Sequence, residues 1–126
     1  MEQMREEEIR QAKERFGQLI EEEFARIERM KADNEVKDFS KMEKIVVGIL
    51  PGDGIGPIIM AQALRVLRAL MEEEIASGRI ELRIIEGMTI ENRAATGQSL
   101  PEDVFEKIKQ CDVLLKGPMV TPRAGD

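Results

Sequence analysis

Two patterns of hydrophobic and polar positions divide the chain. Over Met4 to Lys31, Ile9, Ala12, Phe16, Leu19, Ile20, Phe24, Ile27 and Met30 recur every three or four residues among glutamates, arginines and lysines. That spacing predicts one long helix with a single apolar stripe. Residues 1–41 contain no proline and only Gly17, a composition that suits a helix. Glu6 precedes Arg10, and Glu22 precedes Arg26, by four positions. Each such pair adds ~0.2–0.5 kcal/mol to a helix. Asp33 and Asn34 end the periodicity, and the stretch to Lys41 predicts a polar linker. Residues 1–41 are therefore set apart as a helical extension and linker, and 42–126 as an α/β domain.

The second pattern alternates strand and helix signals. Ile45 to Leu50 is a β-branched apolar run, expected for a strand covered on both faces. A glycine-rich turn, Pro51-Gly52-Asp53-Gly54-Ile55-Gly56, leads to Pro57 in a first helical turn, where its missing N–H costs nothing. A helix from Ile58 to Ala76 is predicted with Ile59, Ala63, Val66, Leu67, Leu70 and Ile75 on its core side, and Met60 and Met71 as core filler. Ser77-Gly78 ends it. Ile80 to Ile85 alternates apolar and charged residues, as a strand near a sheet edge does. A structural connection over Glu86–Arg93 overlaps a short helix at Ile90–Ala95 closed by Gly97. Pro101-Glu102-Asp103 opens a further helix to Gln110, with acids at its positive end. Cys111 is expected to be a small buried or half-buried side chain. A third strand, Val113–Lys116, and a proline-containing loop to Asp126 complete the order β-α-β-α-β. The fold class is α/β: a mostly parallel three-layer sheet with right-handed crossovers, preceded by the long amphipathic helix.

Composition narrows the chemistry. The 126 residues carry 25 acidic and 19 basic side chains, a net charge of -6, which argues against a nucleic-acid partner. There is no histidine, so imidazole-based triads, Cys/His pairs and histidine metal sites are excluded. The single cysteine fits a reducing, cytoplasmic setting. No run approaches the ~18 apolar residues of a membrane span.

In open α/β sheets ligands bind beyond the carboxyl ends of the strands, so the loops after the first and third strands are the places to look. Three glycines in the first loop let a ligand approach the main chain, and N–H groups at a helix start favour an anion. The loop lacks the dinucleotide fingerprint, because Pro57 stands where a glycine is needed, and it lacks the Walker lysine. On spacing alone a plain strand-to-helix turn is the favoured reading. The second loop offers Lys116 and the Thr121 hydroxyl. Asp53 reads as a turn former rather than a metal ligand.

Taken together the two loops resemble a known family. Ile49-Leu50-Pro51-Gly52-Asp53-Gly54-Ile55-Gly56-Pro57, then Leu100-Pro101, then Val113-Leu114-Leu115-Lys116-Gly117-Pro118-Met119-Val120-Thr121-Pro122 are similar to the isocitrate and isopropylmalate dehydrogenases, in their order and spacing. The Lys116-Gly117-Pro118 and Thr121-Pro122 form leans toward the isocitrate branch. Ile58 departs from the family's usual acidic residue, and the leading helix is longer than usual. The resemblance implies oxidative decarboxylation of isocitrate or a related β-substituted malate, with NAD or NADP as hydride acceptor and Mg2+ or Mn2+ as Lewis acid. It implies a small hydroxy-acid substrate and a homodimer or higher homo-oligomer. It places Ile55, Lys116 and Thr121 beside the cofactor, and Thr121 also beside the substrate. The family's catalytic tyrosine and lysine and its metal-binding aspartates fall later than Asp126, and tyrosine is absent from this composition. The sequence is accordingly expected to be an N-terminal fragment, inactive alone, with no catalytic residue or metal ligand of its own. The rival expectation is a non-catalytic helical interaction module on a degenerate α/β scaffold.

Overall fold

The computed structural model describes residues 1–33 and 36–123. Asn34 in the expected linker and Ala124 to Asp126 in the final loop lie outside the described residues. The chain divides into two compact units, Met1–Asp38 and Phe39–Asp126.

In the first unit, helix α1 spans Glu2–Ala32 and buries none of its residues. Phe16, Phe24 and Met30 keep 61% or more of their surface exposed. Local ion pairs line it, with a register different from the expected one. Arg10 grips Glu7 with two nitrogens, Nε at 3.0 Å and Nη2 at 2.5 Å, and reaches Glu14 at 2.6 Å. Arg26 takes Glu23 in the same way. A guanidinium presents a planar fork, so the bidentate grip on the carboxylate three residues earlier displaces the anticipated single contacts to Glu6 and Glu22.

The second unit opens with a 3-10 turn at Phe39–Lys41. Its elements are β1 (Ile45–Leu50), α2 (Gly56–Leu70), α3 (Glu72–Ala76), β2 (Ile80–Ile84), α4 (Ile90–Thr96), α5 (Glu102–Lys109) and β3 (Val113–Lys116). The three strands form one parallel sheet in the order β2-β1-β3. Ile45 is set against Ile80, and Val47 against both Leu82 and Val113. β1 is central and the most buried, as its unbroken apolar run predicts. Alternation of side chains along β1 feeds two cores. Ile49 packs with Met60 and Leu64 of α2 and with the partly buried Val47, Leu67, Leu82 and Leu115. Leu50 packs with Ile85, Met88 and Val104 of α5, joined by Ile108, Cys111 and Met119.

Two expectations about the helix after β1 fail. The helix is broken at Met71, whose φ of -114° and ψ of 27° leave the helical region. Glu72, Glu73 and Glu74 thereby occupy the first turn of a new helix, where three adjacent carboxylates meet the positive end of a dipole instead of a helix interior. The buried face is also rotated. Met60 and Leu64 are buried, whereas Ile59, Val66 and Leu70 are 45%, 60% and 72% exposed. The apolar arc of α2 is wider than the strip one sheet face covers: Met60 is core as expected, and Ala63 and Leu67 of the expected side are half-buried.

Candidate functional site

Parallel strands bring the segments after β1, β2 and β3 to one edge of the sheet. Asp53 joins all three. Its N–H donates to the Pro118 carbonyl at 3.2 Å, which fixes the turn after β1 against the loop after β3. Its carboxylate accepts from the Val120 N–H through Oδ1 and from the Ile90 N–H through Oδ2, both at 2.5 Å. The Val120 N–H is the main cause that holds this carboxyl below its ordinary range. Partial burial opposes the shift, and the Ile90 N–H and the Arg93 guanidinium reinforce it.

Arg93 completes the clasp from α4. It is buried to 9% exposure, and its Nη2 donates to the Val120 carbonyl at 2.6 Å. Val120 is thus held at both its N–H and its C=O, by an acid from one segment and a base from another. Among the described residues Arg93 Nε has no hydrogen-bond partner.

The glycines serve this junction. Gly52 has φ +75°, and a Cβ there would strike the Pro118 carbonyl oxygen; a Cβ on Gly117 would strike that of Pro51. The Gly117 N–H meanwhile donates to the Leu50 carbonyl at 2.7 Å, which extends the sheet ladder into the loop. The main-chain approach these glycines permit is therefore between the two loops themselves.

Of the residues expected beside a cofactor, Ile55 is 62% exposed at the start of α2. Lys116 ends β3 and turns its ammonium to the Gly117 carbonyl at 3.1 Å. Thr121 is exposed one residue beyond the clasped Val120. Ile55 and Thr121 lie on the two loops that Asp53 ties, and Lys116 stands at the root of the second. Two clefts open nearby. One, of about 470 Å³, is lined by Pro51, Gly52 and Pro57 and by residues 85–89 after β2. The other, of about 250 Å³, lies along α4 between Ile90, Arg93, Gln98 and Pro122.

A divalent ion needs clustered oxygen ligands. Among the described residues no three Asp, Glu, His or Cys side chains stand together to hold one. Asp53, at the strand ends, spends both oxygens on backbone N–H groups. These residues do not fit a metal centre.

A family model described as isocitrate/isopropylmalate dehydrogenase matches residues 46–126, which include all three strands and both loops. The chain belongs to this family. A 3-isopropylmalate dehydrogenase from Carboxydothermus hydrogenoformans is 41% identical over 75 residues, 60% of this chain and 19% of that protein. A homoisocitrate dehydrogenase from Methanocaldococcus jannaschii is 34% identical over 80 residues, 64% of this chain and 21% of that protein. The chain thus spans about a fifth of the length of these relatives. Their names do not carry the expected lean toward the isocitrate branch. The Lys116–Pro122 motif is too short to weigh against identity spread over the whole matched region.

Within the family match, sequence reading missed two side chains that join the loops. Asp53 was read as serving its own turn, but it acts across three segments, 37 and 67 residues away in sequence. Arg93 was read as part of a connection. No local signal marks it, since Ala94 and Ala95 beside it are exposed and its burial is made by the loop that holds Val120.

Proposed function

We propose that the protein is a decarboxylating dehydrogenase of a β-substituted malate, and that this chain supplies one wall of the cofactor and substrate cleft. The observation that carries the proposal is the Asp53 clasp, which sets the loops bearing Ile55 and Thr121 together at the carboxyl ends of a parallel sheet. Family membership supports the reaction class, and the names of the 3-isopropylmalate and homoisocitrate relatives are the reason for preferring these two substrates to isocitrate in this proposal. The two cores fed by β1 support reading the sheet as the middle of three layers. A cytoplasmic setting and homo-oligomeric assembly belong to the same proposal.

When bound, NAD or NADP would accept a hydride from the carbon that bears the secondary hydroxyl, and Mg2+ or Mn2+ would supply Lewis-acid stabilisation of developing negative charge. This chain's part is binding and orientation. Thr121 offers a hydroxyl able to donate to a substrate oxygen. Ile55 offers apolar surface to one face of the nicotinamide, and Lys116 adds positive charge to the same wall. The metal would take its ligands outside the described residues.

The test is a rate assay on the protein purified from its source cells, with 3-isopropylmalate, homoisocitrate and isocitrate in turn. Each is run with both nicotinamide cofactors and with Mg2+ or Mn2+, following reduced cofactor and released carbon dioxide together. Stoichiometric production of both with one substrate is expected. Thr121→Ala should lower kcat/KM about tenfold, the worth of one substrate hydrogen bond. Absence of coupled reduction and decarboxylation with all three substrates would remove the proposal.

A further inference from the structure

We propose that α1 pairs antiparallel with α1 of a second copy of the chain. The helix runs for 31 residues without burying one, yet carries Ile9, Phe16, Leu19, Ile20, Ile27 and Met30 along one face. A stripe of this kind is stable in water only when something covers it. The charges beside the stripe identify the cover.

Related by a twofold axis beside Gln18, near its midpoint, the helix sets Ile9 against Ile27 of the second copy and Phe16 against Ile20 of the second copy. Apolar residues then meet apolar residues between Ile9 and Ile27, along ~27 Å of helix. In this arrangement each edge of the stripe faces the same edge of the other copy. Along one edge Glu6, Arg10 and Lys13 meet Lys31, Glu28 and Glu21 of the second copy. Along the other, Glu8 and Arg15 meet Arg29 and Glu22 of the second copy. Every one of these five pairings is acid with base, and symmetry repeats each of them.

The internal ion pairs fit this scheme. Lys31 already holds Glu28 at 2.9 Å, so adding Glu6 and Arg10 of the second copy extends an alternating chain of charge. Arg15 and Glu22 stand 3.9 Å apart within one helix, and two copies form an alternating ring of four. A parallel pair would instead align Glu6-Glu7-Glu8 with the same triplet, and Glu21-Glu22-Glu23 likewise. The apolar stripe supplies affinity, and the charged edges select the orientation.

Disulfide trapping of the full chain tests orientation directly, in a Cys111→Ser background. A mixture of Ile9→Cys and Ile27→Cys chains should cross-link between the two variants, while either alone should not. A cross-link in Ile9→Cys alone would mean a parallel pair, and no cross-link in any combination would mean that something else covers the stripe. Either result overturns the proposal. The trap reads α1 whatever other surface holds copies together. In sedimentation of the cysteine-free chain, Lys13→Glu should weaken association at least about threefold, and Lys13→Glu with Glu21→Lys should restore it. Failure of the double change to restore association also overturns the antiparallel assignment.

Discussion

Helices α1 and α2 make an instructive pair, because both satisfy the periodicity of an amphipathic helix and the structure treats them oppositely. α1 is twice as long, carries a narrow stripe, and buries nothing within its own unit. α2 has 15 residues and an apolar arc so wide that one sheet face covers half of it, leaving Ile59, Val66 and Leu70 outside. Periodicity therefore fixes that a helix forms and roughly where its apolar residues point. It does not fix which part of the arc is covered, since that depends on a partner surface elsewhere in the chain.

The sharpest way to break this comparison is to truncate the two halves of the α2 arc separately. Leu64→Ala removes a side chain buried to 8% exposure and should cost the α/β unit about 2–5 kcal/mol. Leu70→Ala removes one that is 72% exposed and should change stability by no more than about 0.5 kcal/mol. Denaturant unfolding of both variants decides it. Equal losses would mean that the buried face is the one expected from periodicity, centred on Ile59 and Val66.

Glycine gives the next largest contrast. A Cβ on Gly117 meets the Pro51 carbonyl, whereas a Cβ on Gly17 of α1 meets nothing within 4 Å. Gly117→Ala should destabilise by about 1–3 kcal/mol, as main-chain strain at a fixed junction does. Gly17→Ala should raise helix stability by about 0.5–1 kcal/mol. Opposite signs from one chemical change, read by thermal unfolding and far-ultraviolet dichroism, would confirm that the loop glycines serve close backbone approach. Two losses of similar size would refute it.

What the sequence makes legible follows from the range of each interaction. Ile45–Leu50, Ile80–Ile84 and Val113–Lys116 are readable because apolar runs, apolar–charged alternation and flanking turns are local signals, and the parallel order follows from the alternation with helices. The cap at Gly97, with φ +65°, is local too. The expected core side of α2 includes Ile59, Val66 and Leu70, which lie exposed, because how much of the arc is covered is set by β1 and not by the helix's own periodicity. The break at Met71 was missed because three adjacent acids suit both a solvated helix side and a new helix start. At the site, Ile55, Lys116 and Thr121 could be named from the loop motifs. The clasp that positions two of them could not, since an aspartate between two glycines explains itself as a turn residue until Ile90 and Val120 are seen against it.

The smallest expected effect probes that clasp through pH. Because contacts in the folded state lower the Asp53 pKa, its contribution is present above the unfolded value of about 3.9 and is lost as pH falls through the folded value. Asp53→Asn keeps the shape and one acceptor oxygen but replaces the other with an N–H donor, which opposes the N–H of Ile90 or Val120. At neutral pH the variant should therefore be less stable than the parent, by less than the losses at Leu64 or Gly117. On acidification the parent should lose stability faster, so that the two converge once Asp53 is protonated. Glu81, also lowered by Lys44 and Arg83, titrates in both proteins and cancels from the difference. Urea midpoints of parent and variant between pH 7 and pH 3 measure the convergence. A constant gap across that range would mean that the carboxylate's charge plays no part in holding Val120 and Ile90, and that the loops meet through glycine packing alone.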